Sequence, residues 1–253
     1  SVWLRKPMPH VLPAGLNASE ENYAGRETRQ AYQGLVRLLD CLWVNHPDAN
    51  GLASHKPVQL KVAANLGFRV PQTLITNDPE RAREFRKRLT GEMVYKPVTY
   101  GMLDKERIGW GAACWTSVVN DEQAQKLDLI KDAPCLFQER IEKQFELRIT
   151  VVGNTFFAVA IHSQAHGDSQ VRQDWRSVDA SELWHESFEL PDEVKARLRA
   201  LMEHFSLVYG AVDLIVTPGG EYVFLEINPG GQYGWLEDIT GLPMTSAIAD
   251  LLV

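Results

Sequence analysis

The sequence predicts an α+β fold built from antiparallel hairpins and amphipathic helices, and three stretches carry that expectation. Gly210 to Val216 is an apolar run of strand length, and the stretch from Tyr222 to Gly230 carries a short apolar strand pattern. The turn formers of Thr217-Pro-Gly-Gly-Glu221 separate them, so they read as a hairpin. Phe145 to Val152 and Thr155 to His162 flank Gly153-Asn154 and read as a second hairpin. Between the hairpins, Val194, Leu198, Leu201, Phe205 and Val208 step by four and three along the clearest helix, Pro191 to Val208.

The remaining elements follow from the start of the chain. Ala31, Leu35, Leu38, Leu39 and Leu42 repeat at helical spacing and predict a helix over 19–43. Turn formers in Trp43-Val-Asn-His-Pro-Asp-Ala-Asn-Gly51 break the pattern. A second helix is expected over 54–67, with Ser54 as N-cap, Pro57 in its first turn and Gly67 as its stop. Thr73 to Thr76 is a short strand. Asp78 caps and Pro79 opens a third helix, whose buried stripe is Ala82, Phe85 and Leu89. Met93 to Val98, Cys114 to Val119 and Leu136 to Ile141 read as strands, and residues 99–114, with three glycines and mixed charge, as a flexible loop. Residues 163–189 are polar and irregular, and a short helix over 242–252 closes the chain. The opening Ser1-Val-Trp-Leu-Arg-Lys-Pro7 reads as a strand already under way, without an initiator methionine, and predicts the remainder of a longer polypeptide.

At 253 residues, with 45% hydrophobic and 23% charged residues, the chain has the composition of an ordinary globular protein. Its net charge of −7 argues against nonspecific nucleic-acid binding. Cys41, Cys114 and Cys135 lie far apart in no metal-type spacing, a usage that suits the reducing cytoplasm. No apolar stretch reaches the roughly 20 residues of a membrane span, and no signal peptide is visible. The expected location is therefore cytoplasmic, with neither nucleic acid nor membrane as partner.

The most informative string is Tyr222-Val-Phe-Leu-Glu-Ile-Asn-Pro-Gly230. Strand alternation points Glu226 and Asn228 to one face, and the hairpin brings Asp213 beside Glu226. Three hard oxygen donors on adjacent strands suit Mg²⁺, which usually also takes water and substrate phosphates. A lone strand-end carboxylate is usually solvated, but these lie in or beside apolar runs, where an unpaired charge is unfavourable. Upstream, Lys96 sits in the apolar Met93-Val-Tyr-Lys-Pro97, where it either reaches a phosphate or carboxylate or guards a sheet edge. Glu146 and Arg148 share a strand face, and the arginine serves either a transferring phosphoryl group or a structural ion pair. No Gly-x-x-x-x-Gly-Lys-Ser/Thr loop is present, which excludes a P-loop enzyme.

Taken in order, Lys56, Lys96, Gln138-Glu-Arg-Ile141, Glu146-Leu-Arg148, Asp213 and Glu226-Ile-Asn228-Pro resemble the ATP-grasp superfamily of carboxylate–amine ligases from about residue 54 to the end. Trp43-Val-Asn-His-Pro47, His55-Lys-Pro-Val-Gln-Leu60, Val70-Pro-Gln-Thr-Leu-Ile-Thr-Asn-Asp-Pro79, Phe137-Gln-Glu-Arg-Ile-Glu-Lys143 and Asp174-Trp-Arg176 resemble one branch, the ribosomal-peptide maturases of the microviridin (graspetide) type. The resemblance implies two α+β subdomains gripping ATP. It divides the chain into a remnant of an N-terminal pre-ATP-grasp domain (1–53), a central and lid subdomain (54–141) and a C-terminal subdomain with the metal site (142–253). Lys56 and Lys96 would touch the phosphates, Gln138, Glu139, Arg140 and Ile141 would lie against adenine, and Glu146 would take the ribose hydroxyls. Arg148 would face the transferring phosphate, and Asp213, Glu226 and Asn228 would hold Mg²⁺. Arg176 would meet a substrate carboxylate, unless Trp175 and Arg176 instead pin the 163–189 segment to the core. Residues 99–114 match the family's glycine-rich loop only loosely.

The function implied is ATP-dependent activation of Asp or Glu side chains in a ribosomal precursor peptide, leader and core, followed by ester or amide ring closure on Ser, Thr or Lys. A homodimer is a candidate assembly. Three rivals stand beside this: a ligase adding an amino acid to a peptide, protein terminus or small acid, a catalytically silent ATP-binding regulatory protein, and a purely structural interaction domain, which would not need buried-strand charges. His162 and His166 lie near the site strands but read as structural residues.

Overall fold

A computed structural model describes residues 1–5, 10–99 and 114–253. Strands β1 (Thr73–Thr76), β2 (Met93–Lys96), β3 (Ser117–Val118) and β4 (Cys135–Glu139) form a four-stranded sheet in the order β1-β4-β2-β3. Strands β5 (Phe145–Val152), β6 (Thr155–Ile161), β7 (His185–Ser187), β8 (Tyr209–Val216) and β9 (Tyr222–Asn228) form a larger sheet in the order β7-β6-β5-β8-β9. All pairings within both sheets are antiparallel. Among the described residues the helices are α1 (Ala18–Arg37), α2 (Pro47–Ala53), α3 (Lys56–Asn65), α4 (Pro79–Arg88), α5 (Asp121–Gln125), α6 (Ser169–Gln173), α7 (Asp192–His204), α8 (Gly234–Thr240) and α9 (Met244–Leu252).

The alternation of side chains along the larger sheet explains its two unlike faces. One face buries Leu147, Ile149, Val212, Leu214, Phe224 and Ile227 against Leu60 and Ala63 of α3 and Val194, Leu198 and Leu201 of α7. The other face is apolar chiefly toward its ends. There Val152, Phe157 and Tyr209 meet Leu236 of α8 and Met244 and Ile248 of α9, while Ile161 packs on Val171 of α6 and Leu183. Between these patches the face carries Glu146, Arg148, Asp213 and Glu226. The smaller sheet closes its own core, in which Met93 and Phe137 pack on Ala82 and Phe85 of α4.

Both hairpins, β1, and the Asp78 cap of α4 stand where the sequence predicts them, with the Asp78 carboxylate accepting the Glu80 and Arg81 N–H groups. Other expectations change. The helix over 19–43 ends at Arg37, and Leu35, Leu38, Leu39 and Leu42 are exposed, because periodicity reports an apolar face and not what covers it. The expected turn at 43–51 contains the start of α2: Pro47 fits its first position and the His46 ring accepts the Asp48 N–H at 3.3 Å. Ser54 closes α2, donating to the Asn50 carbonyl at 2.7 Å, so α3 starts from His55. The strand at 114–119 shortens to β3, and residues 100–113 of the loop lie outside the described residues. The segment 163–189 is not wholly irregular, since it holds α6 and the edge strand β7. The final helix starts at Met244 and is preceded by α8.

A buried amide joins the beginning of the chain to the larger sheet. The Asn45 side chain, 1% exposed, accepts the N–H groups of Val208 and Tyr209 at 2.6 and 2.8 Å. It donates to the carbonyls of Tyr209 and Pro229 at 2.7 and 3.0 Å and to Asn50 Oδ1 at 3.1 Å. An Asn45→Ala variant would strand several buried backbone groups, each worth about 1–3 kcal/mol. The expected outcome is a loss of about 3 kcal/mol or more in unfolding free energy, read from urea denaturation.

Candidate active site

A cleft of about 700 Å³ opens between the two sheets. Its floor is set by strand register. Arg148 on β5 stands opposite Asp213 on β8, and Asp213 opposite Glu226 on β9, so three charges form one row across the sheet. Ala211 opposite Asn228 belongs to the next row on the same face.

The Asp213–Glu226 pairing depends on an irregularity. Near the turn the hairpin pairs Val216 with Tyr222, Ile215 with Val223 and Leu214 with Phe224. A regular continuation would set Asp213 opposite Leu225 and turn Glu226 to the apolar face. Instead the register shifts between Asp213 and Leu214, and Leu225 is the extra residue of a β-bulge. Leu225 packs on Ile141, Ile215 and Val223 at the cleft floor, and Glu226 follows it on the same side.

Cations surround the carboxylates. The Arg148 Nη1 donates to both Asp213 oxygens at 2.9 and 3.0 Å, and its Nη2 donates to the Gln232 carbonyl at 3.3 Å. The buried Arg148 Nε has no partner among the described residues. Lys56, first residue of α3, reaches Glu226 Oε2 at 2.9 Å, and Arg176 Nη1 lies 3.4 Å from Glu226 Oε1. Burial pushes the Asp213 carboxyl up, Arg148 opposes this, and adjacent Glu226 adds to the rise. For Glu226 burial acts in the same upward sense, but Lys56 and Arg176 outweigh it and hold the carboxyl below its usual range.

The cleft collects Lys56, Lys96, Gln138, Glu139, Arg140, Ile141, Glu146, Arg176, Asp213, Glu226 and Asn228. Arg148 does not line it and stands behind Asp213. Lys96, at the end of β2, makes no ion pair among the described residues, and burial lowers its ammonium to about 8 while Glu226 opposes the shift. Gln138 is buried and donates to Thr73 Oγ1 at 2.9 Å, whereas Glu139 accepts from Gln72 Nε2 at 3.2 Å and Arg140 pairs with Glu92. Ile141 is buried with Ile215 and Val223. Burial raises the Glu146 carboxyl against the opposing Lys143 ammonium, 2.6 Å away, and the Ser163 hydroxyl donates to it at 2.7 Å. Asn228 Oδ1 accepts the Gly230 N–H at 3.0 Å, which leaves it acceptor capacity. His162 pairs with Glu186 and stacks on Trp184, and His166 accepts the Asp168 N–H.

Several residues outside the predicted set shape the cleft. Asp174, almost fully buried, accepts Arg176 Nε and Nη2, each at 2.9 Å, and the Thr116 N–H of the smaller-sheet side at 3.1 Å. Burial pushes its carboxyl up, but the Arg176 fork and these donors hold it down at about 2. Asp174, Asn45 and Gln59 each lie in strings that carried the family resemblance. The contacts of Asp174 with Thr116, Asn45 with Tyr209 and Gln59 with Ile227 join residues distant in sequence, so no local spacing signals them.

The donor set fits Mg²⁺. Asp213, Glu226 and Asn228 offer oxygen only, and two carboxylates in register repel each other unless a cation lies near. Among the described residues no three His, Cys, Asp or Glu side chains form a metal group, so a bound Mg²⁺ would complete its shell with phosphate and water.

No protein-family model matches the chain, and no curated protein matches it in sequence. Solved structures do. The macrocyclase MdnC of Microcystis aeruginosa MRC, bound with its precursor peptide MdnA, is 33% identical, with 99% of this chain and 77% of that chain covered and a TM-score of 0.84. A ribosomal-peptide (RiPP)-associated ATP-grasp ligase of Chryseobacterium gregarium, in complex with ADP and a leader and core peptide, is 32% identical, with 99% and 75% covered and a TM-score of 0.88. The ATP-grasp ligase PsnB, complexed with a minimal precursor, Mg and ADP, shares the fold at 23% identity, with 94% and 72% covered and a TM-score of 0.72. The fold and the charged cleft thus define an ATP-grasp ligase. More particularly, the chain belongs to the ATP-grasp macrocyclases of ribosomal peptides.

Gly231 allows Arg148 its position. A Cβ there would lie 2.4 Å from the Ala211 Cβ and 2.9 Å from Arg148 Nη2. Gly231→Ala is expected to lower stability by about 1–3 kcal/mol, as overpacking does, and to displace Arg148. Thermal unfolding and ATP turnover measured on one preparation check both effects.

Proposed function

We propose that this chain uses ATP and Mg²⁺ to activate Asp or Glu side chains of a ribosomal precursor peptide and to close them onto Ser or Thr hydroxyls or Lys amines. The observation that carries this reading is the Arg148–Asp213–Glu226 row, of which Asp213 and Glu226 line the inter-sheet cleft with Arg148 behind Asp213, and with Lys56, Lys96 and Arg176 near it. The kinship with two peptide-bound ligases supports the peptide as substrate. No helix among the described residues is long and apolar enough to cross a membrane.

In this reading Lys56 and Lys96 bind the nucleotide phosphates. The backbone of Gln138–Ile141 lies along the adenine, and Glu146, held by Lys143 and Ser163, takes the ribose hydroxyls. Asp213, Glu226 and Asn228 hold Mg²⁺, which neutralises phosphate charge when bound. Arg176, oriented by its fork on Asp174, binds the peptide carboxylate. That carboxylate attacks the γ-phosphorus, giving an acyl phosphate and ADP, and Arg148 stabilises the charge developing on the transferring group. The peptide's hydroxyl or amine then attacks the acyl carbon, loses its proton and expels phosphate.

Mass spectrometry of candidate precursor peptides incubated with enzyme, ATP and Mg²⁺ tests this. Successive losses of about 18 Da, one water per ring closed through the acyl phosphate, are expected, and Arg148→Ala and Asn228→Ala should abolish them. A mass gain equal to an amino acid would replace the reading with an amino-acid-adding ligase. Tight ATP binding without any mass change would point to a silent nucleotide binder.

The lowered Lys96 ammonium predicts a pH dependence. The group is charged below about 8 and loses its proton above it, so the cleft surrenders a phosphate-binding charge as pH rises. ADP affinity should weaken from pH 7 to pH 9. Lys96→Arg, which keeps its charge throughout, should flatten that profile in calorimetric titration.

A further inference from the structure

The edge of β9 that does not pair with β8 is closed by a side chain. Gln59 of α3, 2% exposed, accepts the Ile227 N–H at 3.0 Å and donates to the Ile227 carbonyl at 2.8 Å. Its Nε2 also donates to the Ala53 carbonyl, so every contact of the amide is to backbone. A glutamine amide carries the donor and acceptor of a peptide group. It therefore extends the sheet by one peptide unit at the residue between Glu226 and Asn228. Lys56, one helical turn earlier, holds the Glu226 carboxylate from the same helix end.

We infer that Gln59 is a positioning residue for the metal–nucleotide complex: its clasp on Ile227 fixes the direction in which Glu226 and Asn228 present their oxygens. Ile227 itself is locked in the apolar core, so the peptide plane is held from the core side and from the edge. Glu226 lies just after the Leu225 bulge, where the regular β8 ladder is interrupted, and the clasp restores order there. The inference rests on the functional reading above.

The test is calorimetric titration of Mg²⁺ into protein with saturating ADP, for wild type, Gln59→Leu and Gln59→Glu. Gln59→Leu removes both bonds. Gln59→Glu keeps the acceptor for the Ile227 N–H but sets a carboxylate oxygen against its carbonyl. Folded variants are expected to bind Mg²⁺ on the order of 10–100-fold more weakly, as when a group that orients metal ligands is lost, with metal-free ADP affinity little changed. On the wild-type protein, hydrogen exchange should show the Ile227 amide gaining protection on addition of Mg²⁺ and ADP. Variants with lower melting temperatures but unaltered Mg²⁺ affinity would overturn the inference, as would an Ile227 amide indifferent to Mg²⁺ and ADP. Failure of the wild type to bind Mg²⁺ and ADP would instead overturn the functional reading.

Discussion

One extra residue in β9 decides what the larger sheet can do. Side-chain direction in a strand has a period of two, so a hairpin with unbroken register assigns every residue a face as soon as its turn is set. The turn at Thr217–Glu221 sets a register that would bury Glu226 among Leu147, Val212 and Leu214. The bulge at Leu225 reverses the parity once. Leu225 and Glu226 then both face the cleft, one as apolar floor and one as charge, while Phe224 and Ile227 stay in the core on either side. A bulge weakens the ladder locally, and β9 is an edge strand. Its outer edge is accordingly held at two points, by the Arg69 carbonyl on the Phe224 N–H at 2.9 Å and by Gln59 on Ile227.

Once Asp213 and Glu226 are neighbours, their mutual repulsion governs the surroundings. Two partly buried carboxylates need cations, and removing one member of such a pairing leaves an uncompensated charge. The cations come from three separate parts of the chain: Lys56 from α3, Arg148 from β5 and Arg176 from the segment after α6. Arg176 is itself tied to Asp174, which also accepts the Thr116 N–H, while the Gln170 side chain donates to the Thr116 carbonyl at 3.1 Å. The ion pairs of the larger sheet thereby reach the segment leading into β3 of the smaller one. Among the described residues, these polar contacts join the two walls of the cleft, beside the packing of Ile141 on Ile215 and Val223.

Much of the site was legible in the sequence because its residues obey local rules. Glu146 and Arg148 are two apart in a strand, as are Glu226 and Asn228, and period two alone puts each pair on one face. The hairpin turn brings Asp213 into range. What local rules miss is the set of side chains whose partners are distant. Asn45 bonds Tyr209, Gln59 bonds Ile227 and Asp174 bonds Thr116, and none of these couples follows from a period or a cap. The bulge is equally hidden, since Tyr222 to Asn228 reads as an uninterrupted apolar strand. The exposed leucines after α1 fail in the opposite direction: a convincing periodicity without a covering element among the described residues.

The charges of the cleft also bear on what it can bind. Lys56, Lys96, Arg140, Lys143 and Arg176 line it, but so do Glu139, Glu146, Asp174, Asp213 and Glu226. Among the described residues, formal positive and negative charges therefore balance. A triphosphate entering alone would meet cations that, Lys96 apart, are already turned toward carboxylates, and a pair of acids on the floor that repels it. A divalent cation changes the sign of that floor: the same two acids then attract the phosphates through the ion they share. On the proposed reading, discrimination between free and metal-bound nucleotide needs no separate sensor. It follows from placing two carboxylates in register where a phosphate must approach, which is the placement the Leu225 bulge creates.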